Sequence, residues 1–548
     1  MRRVGLALVP LVVVGAAAAA TFTVAQRDGR DWFVTPEGTL FFSNGVNVVD
    51  ESGAAERLRG WGFNTLGAWS DAFIASSGMP FTVELHLGSA QGFPWCDFFS
   101  ENFERAIREA AKKETEKYRG NPRLIGYFTD NELGWWGPAI FRYHLQQPKE
   151  SATRRELFRV LRDYYGQDFG KLAKDFTVQG ARDWKELEGS PSARLRLRAG
   201  TGGIHAVSRF TAAAAERYYD SVTRALRAGD PHHLALGDRY AGYFDAAVAR
   251  AAGRALDVVS TNYGSEFLDG SLTHFFLDAL HRVAGKPLLV TEYYFTAMEN
   301  RSGNKNPGAV FPVVNTQKER AESFARNLSL LAAHPYVIGA HWFQYRDEPE
   351  GGRPGDGEDY NMGLVDTKGQ PYDLLTKAAA DLDTERIHRV GPAADKRSSR
   401  VEMRVEMRVK MKDWRDVLRA SREQDFVPPL EPEAPADLYV HETDRELWIG
   451  AIFMDYADRD LYGDEAEFTK DGPELTLSYR AGVDQSTAKV KYSGTGRVEV
   501  SDSSVQAVFE QKATRFRFLA KMAKPVSLDV TLRGWAGAWE ARWRWTPR

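Results

Sequence analysis

Two carboxylates close apolar runs in this chain, at positions 132 and 292. The stretch Leu124-Ile125-Gly126-Tyr127-Phe128-Thr129-Asp130-Asn131-Glu132 ends in an acid and meets Gly134 and the pair Trp135-Trp136. Pro287-Leu288-Leu289-Val290-Thr291-Glu292 does the same before Tyr293-Tyr294-Phe295. A buried strand has no structural need of a carboxylate at its exit, whereas the carboxyl end of a barrel strand is where active sites sit. Paired carboxyls suit glycoside hydrolysis. One, protonated, donates to the leaving oxygen, and the other, ionised, attacks the anomeric carbon. A separation of about 5–5.5 Å gives a covalent intermediate and retention; a wider gap admits water and gives inversion. The bland alternative is a salt bridge at a barrel rim, but two independent strand ends favour catalysis.

Other residues near run ends widen the candidate set. His86 and His341 close two runs, Trp69 and Trp135 follow two others, and Asp238-Arg239 follows a fifth. Trp135 suits either cap packing or a sugar platform, and Asp238 and Arg239 suit an ion pair with each other. Asp347, Glu358 and Asn361 fall in a Gly-rich stretch, where solvated turn residues are the default. The 11 His form no His-Glu-x-x-His or clustered Cys/His spacing, so no metal or other cofactor is expected. No phosphate loop and no Gly-x-Ser-x-Gly elbow is found.

The elements that must hold these residues alternate. Apolar runs at 41–49, 63–68, 81–87, 124–128, 233–237, 256–261, 287–291 and 337–343 read as eight strands. Helical patterns at 103–118, 208–228, 272–284 and 317–333 lie between them. Alternating strand and helix implies a parallel sheet, and eight units imply an α/β fold closed as a (β/α)₈ barrel over residues 27–390. An open doubly wound sheet would carry a Gly-rich loop after its first strand, and none is present. A long helical insertion, 137–208, is expected as a cap or wall of the cleft. After 391 the character changes. Residues 401–412 alternate apolar and charged with period two, a Pro-rich segment spans 428–435, and many short runs follow. This is an all-β sandwich over 391–548. Trp539, Trp543 and Trp545 share one parity, which favours the sandwich core over a sugar-stacking strip.

The strand-end set resembles the clan A retaining glycoside hydrolases. Asp130-Asn131-Glu132 and Thr291-Glu292 carry the likeness. So do Phe41-Phe42-Ser43-Asn44-Gly45-Val46-Asn47, Gly62-Phe63-Asn64-Thr65-Leu66-Gly67, Asn262-Tyr263 and His341-Trp342. The Asp-Asn-Glu form and the loop from Asp356 to Gly363 are closest to agarase-like and β-galactosidase-like members. Leu161-Arg162-Asp163-Tyr164-Tyr165-Gly166, with Asp183-Trp184, resembles the latter. The likeness covers roughly residues 32–390. It implies retention, with Glu132 as acid/base and Glu292 as nucleophile. It also implies Asn131 on the sugar 2-hydroxyl, Tyr263 hydrogen-bonded to the nucleophile, and Trp342 stacked beneath the sugar. Many clan members have Arg at the end of strand two, where this chain has Gly67, and Arg239 is the candidate replacement. Ala436-Asp437-Leu438-Tyr439-Val440 and the run 446–456 resemble family-nine-like carbohydrate-binding domains.

The remaining readings bound partner and compartment. Met1-Arg2-Arg3 precedes 22 uncharged residues, a signal for export cut after Ala20 or Ala25, or else an uncleaved anchor. The folded part is expected outside the cytoplasm, extracellular or periplasmic. Cys96 is the lone cysteine, so no internal disulfide forms. A net charge of −3, from 72 basic and 75 acidic residues, argues against a nucleic-acid binder. The 43% hydrophobic content provides for a large core. The expected partner is an oligo- or polysaccharide, of galactoside or agar type by the resemblance. The reading of another class is a non-catalytic glycan-binding protein that uses cleft and sandwich to hold polysaccharide.

Overall fold

The computed structural model describes residues 21–190, 194–309, 311–391, 426–430, 434–494, 496–512 and 514–547. The expected period-two strand at 401–412 and nearly all of the export segment lie outside these residues.

The barrel strands are β1 (Ser43–Val46), β2 (Thr65–Leu66), β3 (Phe81–Glu84), β4 (Leu124–Phe128), β5 (Leu234–Gly237), β6 (Val259–Asn262), β7 (Leu288–Tyr293) and β8 (Val337–Trp342). They form one parallel sheet in the order β5-β4-β3-β2-β1-β8-β7-β6. The ring closes where the Tyr240 amide donates to the Ser260 carbonyl (3.1 Å) and the Asn262 amide donates to the Tyr240 carbonyl (2.7 Å). All eight runs read from the sequence are therefore barrel strands. The runs are apolar because both faces are covered. Ile125, Phe128, Leu236, Leu289 and Ile338 fill the interior, and helices pack outside.

An amino-terminal hairpin, Thr23–Arg27 with Arg30–Val34, plugs this interior with Phe22 and Phe33. Thr23 to Ala25, read as part of the export segment, thus belong to the folded hairpin, because Phe22 anchors it in the core at 2% exposure. The insertion is not wholly helical. Helices Gly137–Leu145, Ala152–Tyr165, Phe169–Asp175 and Trp184–Gly189 accompany an antiparallel hairpin, Phe176–Gln179 with Arg194–Leu197. β-Branched Thr177 and Val178 suit that strand. The long helix Gly203–Gly229 then returns the chain to β5.

The carboxyl-terminal part is two five-stranded antiparallel sheets. Alternation is clear in Glu474–Ala481, where Leu475, Leu477 and Tyr479 are buried. Trp543 and Trp545 are likewise buried, which places that face of the last strand in the core. The sandwich docks on the barrel through built polar contacts. Asp437 accepts from the His274 amide (2.7 Å) and the Phe275 amide (3.0 Å), capping the barrel helix Phe275–Ala284. Arg515 pairs with Glu266 at 2.6 Å, and Arg142 with Asp458 at 2.9 Å. Among the described residues no helix is long and apolar enough to cross a membrane.

Candidate active site

Glu292 lies on β7 between buried neighbours yet is itself 14% exposed. The register shifts beside it on both sides, between Thr261 and Asn262 on β6 and between Val290 and Tyr293 on β7. Such bulges re-aim a side chain, here into the barrel mouth. Glu132 lies four residues past β4, exposed, in the left-handed region at φ 50°. Its amide donates to the Asp238 carbonyl at 3.0 Å, which ties the β4 exit to the β5 exit.

Glu132 shares its φ with the rim. Val48, Trp69, His86 and Arg239, after β1, β2, β3 and β5, have φ of 53°, 57°, 52° and 51°. A left-handed non-glycine residue costs about 1–2 kcal/mol, and such strain concentrates at functional sites. Four of these five residues belong to the candidate set read from the sequence.

Arg239 is fully buried and joins two carboxylates. Nη2 donates to Glu292 Oε1 at 2.8 Å and to the Thr291 carbonyl at 3.2 Å, and Nη1 donates to Glu84 Oε2 at 3.2 Å. Its guanidinium lies 4.4 Å from the Trp69 ring centroid, a cation–π contact within desolvated surroundings. Trp69 is half-buried and meets Phe343 edge-on at 6.0 Å. Gly67 explains why the cation comes from β5. A Cβ there would lie 2.2 Å from Asn47 Oδ1, which accepts from the Ala68 amide at 2.9 Å while Asn47 Nδ2 donates to the Thr291 carbonyl at 2.8 Å. No side chain fits at position 67, and Arg239 supplies the positive charge.

Asn262 connects the two halves of the site. Its Nδ2 donates to Glu132 Oε1 at 2.9 Å and to Asn131 Oδ1 at 3.2 Å, and its Oδ1 accepts from Thr291 Oγ1 at 2.7 Å. His86, half-exposed, brings Nδ1 to 3.1 Å from Glu84 Oε1.

Burial pushes the Glu292 carboxyl up to about 8; Arg239 opposes this, while the charges of Glu132, Glu84 and Glu358 add to it. Burial also raises Glu84 against the pull of Arg239 and His86, and burial raises Glu358. Arg239 faces Glu84 and Glu292, and Arg353 pairs with Glu358 at 2.9 Å, so the four carboxyls outnumber their two guanidinium groups and negative charge stays in excess. Such a cluster retains a proton near neutrality, the condition for one carboxyl to act as acid while another stays ionised. Among the described residues no group of three or more His, Cys, Asp or Glu is spaced to hold a metal ion.

Glu132, Asn131, Glu292, Arg239, Trp69 and His86 thus come together, while Tyr263, Trp342, His341 and Trp135 do not. Tyr263 is buried, stacks on Phe276 at 4.0 Å and hydrogen-bonds Thr273, so it does not reach Glu292. Successive strand residues face opposite ways, and with Asn262 turned to the mouth Tyr263 turns to the helices. Trp342 is fully buried, edge-on to Tyr293 and Phe324 at 5.4 and 5.2 Å, with its indole donating to the Met362 carbonyl at 2.9 Å. The same alternation turns His341 inward, where it packs against Gly45 and bonds Ser43 Oγ at 2.9 Å; burial lowers it to about 3. Trp135 is buried beneath the rim, donating to Asp238 Oδ2 at 2.7 Å, and offers no sugar platform. Two members of the cluster, Glu84 and Asn262, were not singled out, and a third, Glu358, was read as a solvated turn residue by default. Glu84 carries the same strand-end signal as Glu132 and Glu292, Asn262 adjoins the chosen Tyr263, and Glu358 lies in the Gly-rich loop.

No family model matches the chain. It is 29% identical over 359 residues to β-agarase A of Vibrio sp. (strain JT0107), covering 60% of this chain and 35% of that protein. It is 29% identical over 345 residues to β-agarase B of the same strain, covering 59% and 35%. The chain thus spans about a third of the length of these relatives. Among solved structures, an agarase superposes with a TM-score of 0.59 at 22% identity, covering 68% of this chain and 66% of that one. An exo-β-agarase superposes with a TM-score of 0.57 at 21% identity and the same coverage. These likenesses establish the barrel fold.

Proposed function

We propose that the chain is a retaining glycoside hydrolase acting on β-linked galactan of agar type. The observation that carries the reading is the pair Glu132 and Glu292 at the exits of β4 and β7, with Asn262 bridging Glu132 to Thr291 beside Glu292 and one buried guanidinium behind Glu292. Similarity to β-agarases supports the substrate class.

In the first step Glu132 gives its proton to the glycosidic oxygen, Glu292 attacks the anomeric carbon, and the carbon–oxygen bond to the leaving sugar breaks. Oε1 of Glu292 is held by Arg239, so the other oxygen is the one that attacks. In the second step Glu132 takes a proton from water as that water displaces Glu292 from the anomeric carbon. Asn131, whose Oδ1 is engaged by Asn262, keeps its amide hydrogens for the sugar 2-hydroxyl. Trp69 and His86 line the mouth as sugar contacts. The basic start at Arg2-Arg3 and the uncharged stretch that follows it, ahead of the hairpin, support export.

A panel of agarose, other galactans and aryl β-glycosides tests the activity, and a 2-fluoro glycosyl fluoride of the accepted sugar tests the roles. Turnover with retained product configuration and labelling of Glu292 is expected. Glycan binding without cleavage would leave a carbohydrate-binding protein instead, and an inverted product or a label elsewhere would overturn the assignment.

A further inference from the structure

Two adjacent tyrosines on one barrel helix reach the two aspartates that flank Glu132. On helix Gly203–Gly229, Tyr218 donates to Asp130 Oδ2 at 2.7 Å and Tyr219 to Asp238 Oδ1 at 2.7 Å. All four side chains are buried. Asp130 also accepts from the Gly88 and Ser89 amides and from Ser89 Oγ, each at 2.8 Å, which clamps the β3 exit to the β4 exit. Asp238 accepts in addition from Trp135 Nε1 at 2.7 Å, and its own carbonyl receives the Glu132 amide. Tyr219 further contacts the Tyr240 hydroxyl at 2.8 Å, and Tyr218 contacts Thr129 Oγ1 at 2.9 Å. The hydrogen bonds named for these carboxyls all come from neutral donors: hydroxyls, amides and an indole. The tyrosine rings lock each other edge-on at 4.9 Å, and Trp135 lies against both at 5.5 and 5.8 Å. Packing is tight, since a Cβ at Gly88 would sit 2.8 Å from the Tyr218 ring.

Glu132 itself is exposed and left-handed, and nothing in a four-residue loop would hold it there unaided. The chain on either side of it is fixed instead. Asp130 is two residues before it, and Trp135, three residues after it, hangs from the same Asp238 whose carbonyl binds the Glu132 amide. We propose that Tyr218 and Tyr219 are positioning residues for Glu132, acting through Asp130 and Asp238 to hold the acid/base loop at the angle that proton donation needs. This rests on Glu132 being the acid/base of the function proposed above. Mispositioning of a catalytic group by about 1 Å costs on the order of 100-fold in rate. In the first step, read as kcat/KM, the loss depends on how much protonation the leaving group needs.

The test compares Tyr218→Phe, Tyr219→Phe and Asp238→Asn in the full chain with Glu132→Gln, each on an agarose oligosaccharide and on a dinitrophenyl β-galactoside. The expected result for the three positioning variants is a kcat loss of about 10- to 100-fold on the oligosaccharide, with KM within about threefold. On the dinitrophenyl glycoside, whose first step needs little protonation, kcat/KM stays within about threefold. A merely structural role would lower both substrates in proportion to folded protein, and that result overturns the proposal. So does unchanged kcat on both. If Glu132→Gln discriminates between the substrates and the tyrosine and aspartate variants do not, only the positioning role falls. If Glu132→Gln fails to discriminate, the acid/base assignment falls and this proposal with it.

Discussion

Replacing Arg239 with Met keeps an unbranched apolar stem and removes the one charge that bridges Glu84 and Glu292. Two unit charges about 4 Å apart at an effective dielectric near 20 attract by about 4 kcal/mol. One pKa step is worth about 1.4 kcal/mol, so loss of that attraction moves the Glu292 carboxyl up by about 2–3 steps. Burial already brings it to about 8 with Arg239 in place, and the variant lies higher still. At neutral pH the ionised nucleophile then falls by about 100- to 1000-fold, and kcat/KM falls with it. Folding suffers less than a broken buried ion pair would suggest, because both carboxyls escape the cost by taking up protons. The assay is kcat/KM against pH for wild type and Arg239→Met, with thermal denaturation alongside. The wild-type rate climbs with pH through a limb above the ordinary glutamate range, and the variant's limb shifts further up. A variant whose kcat/KM stays within about threefold, or whose limb does not move, would refute the view that Arg239 sets the charge of Glu292.

Three further outcomes are expected. Glu292 has a raised carboxyl in the folded state, so its contribution to stability is full below about 4.5 and is lost as pH rises through about 8; Glu292→Gln should flatten this part of the Tm-against-pH curve. Asn262→Ala removes the bridge between Glu132 and Thr291 and should cost about 10- to 100-fold in kcat with a Tm loss of a few degrees, as steady-state kinetics and calorimetry would show. Trp543→Ala in the sandwich core should destabilise by about 3–5 kcal/mol in denaturant titration, with kcat of the remaining folded protein unchanged.

The barrel was legible because its strands are long apolar runs separated by amphipathic helices. The helix Gln317–Ala333 even carries a capping box, Thr316 with Glu319, written in its sequence. The candidate site was legible at strand exits, where a carboxylate after buried residues answers no need of the sheet. Which of two neighbouring residues faces the mouth was not. Asn262 and Tyr263 differ by one position, as do His341 and Trp342, and parity near a register shift is fixed by hydrogen bonding between strands distant in sequence. Glu84 was passed over because its run continues to Leu87, which hid the strand's true end. The origin of the cation was a clash at Gly67, and a clash is a property of three dimensions. The hairpin inside the insertion lay beneath a run that reads equally well as helix or strand.

The helix Phe275–Ala284 borrows its amino-terminal cap from Asp437, 163 residues after His274. During synthesis at roughly 5–20 residues per second, that separation is a wait on the order of 10–30 s between the helix and its cap. Until Asp437 is made, two amides at the helix start have water in place of a carboxylate. The start of that helix is therefore completed only when the sandwich is in place. A ribosome that stalls between the two parts holds a barrel in which the start of helix Phe275–Ala284 still lacks this carboxylate.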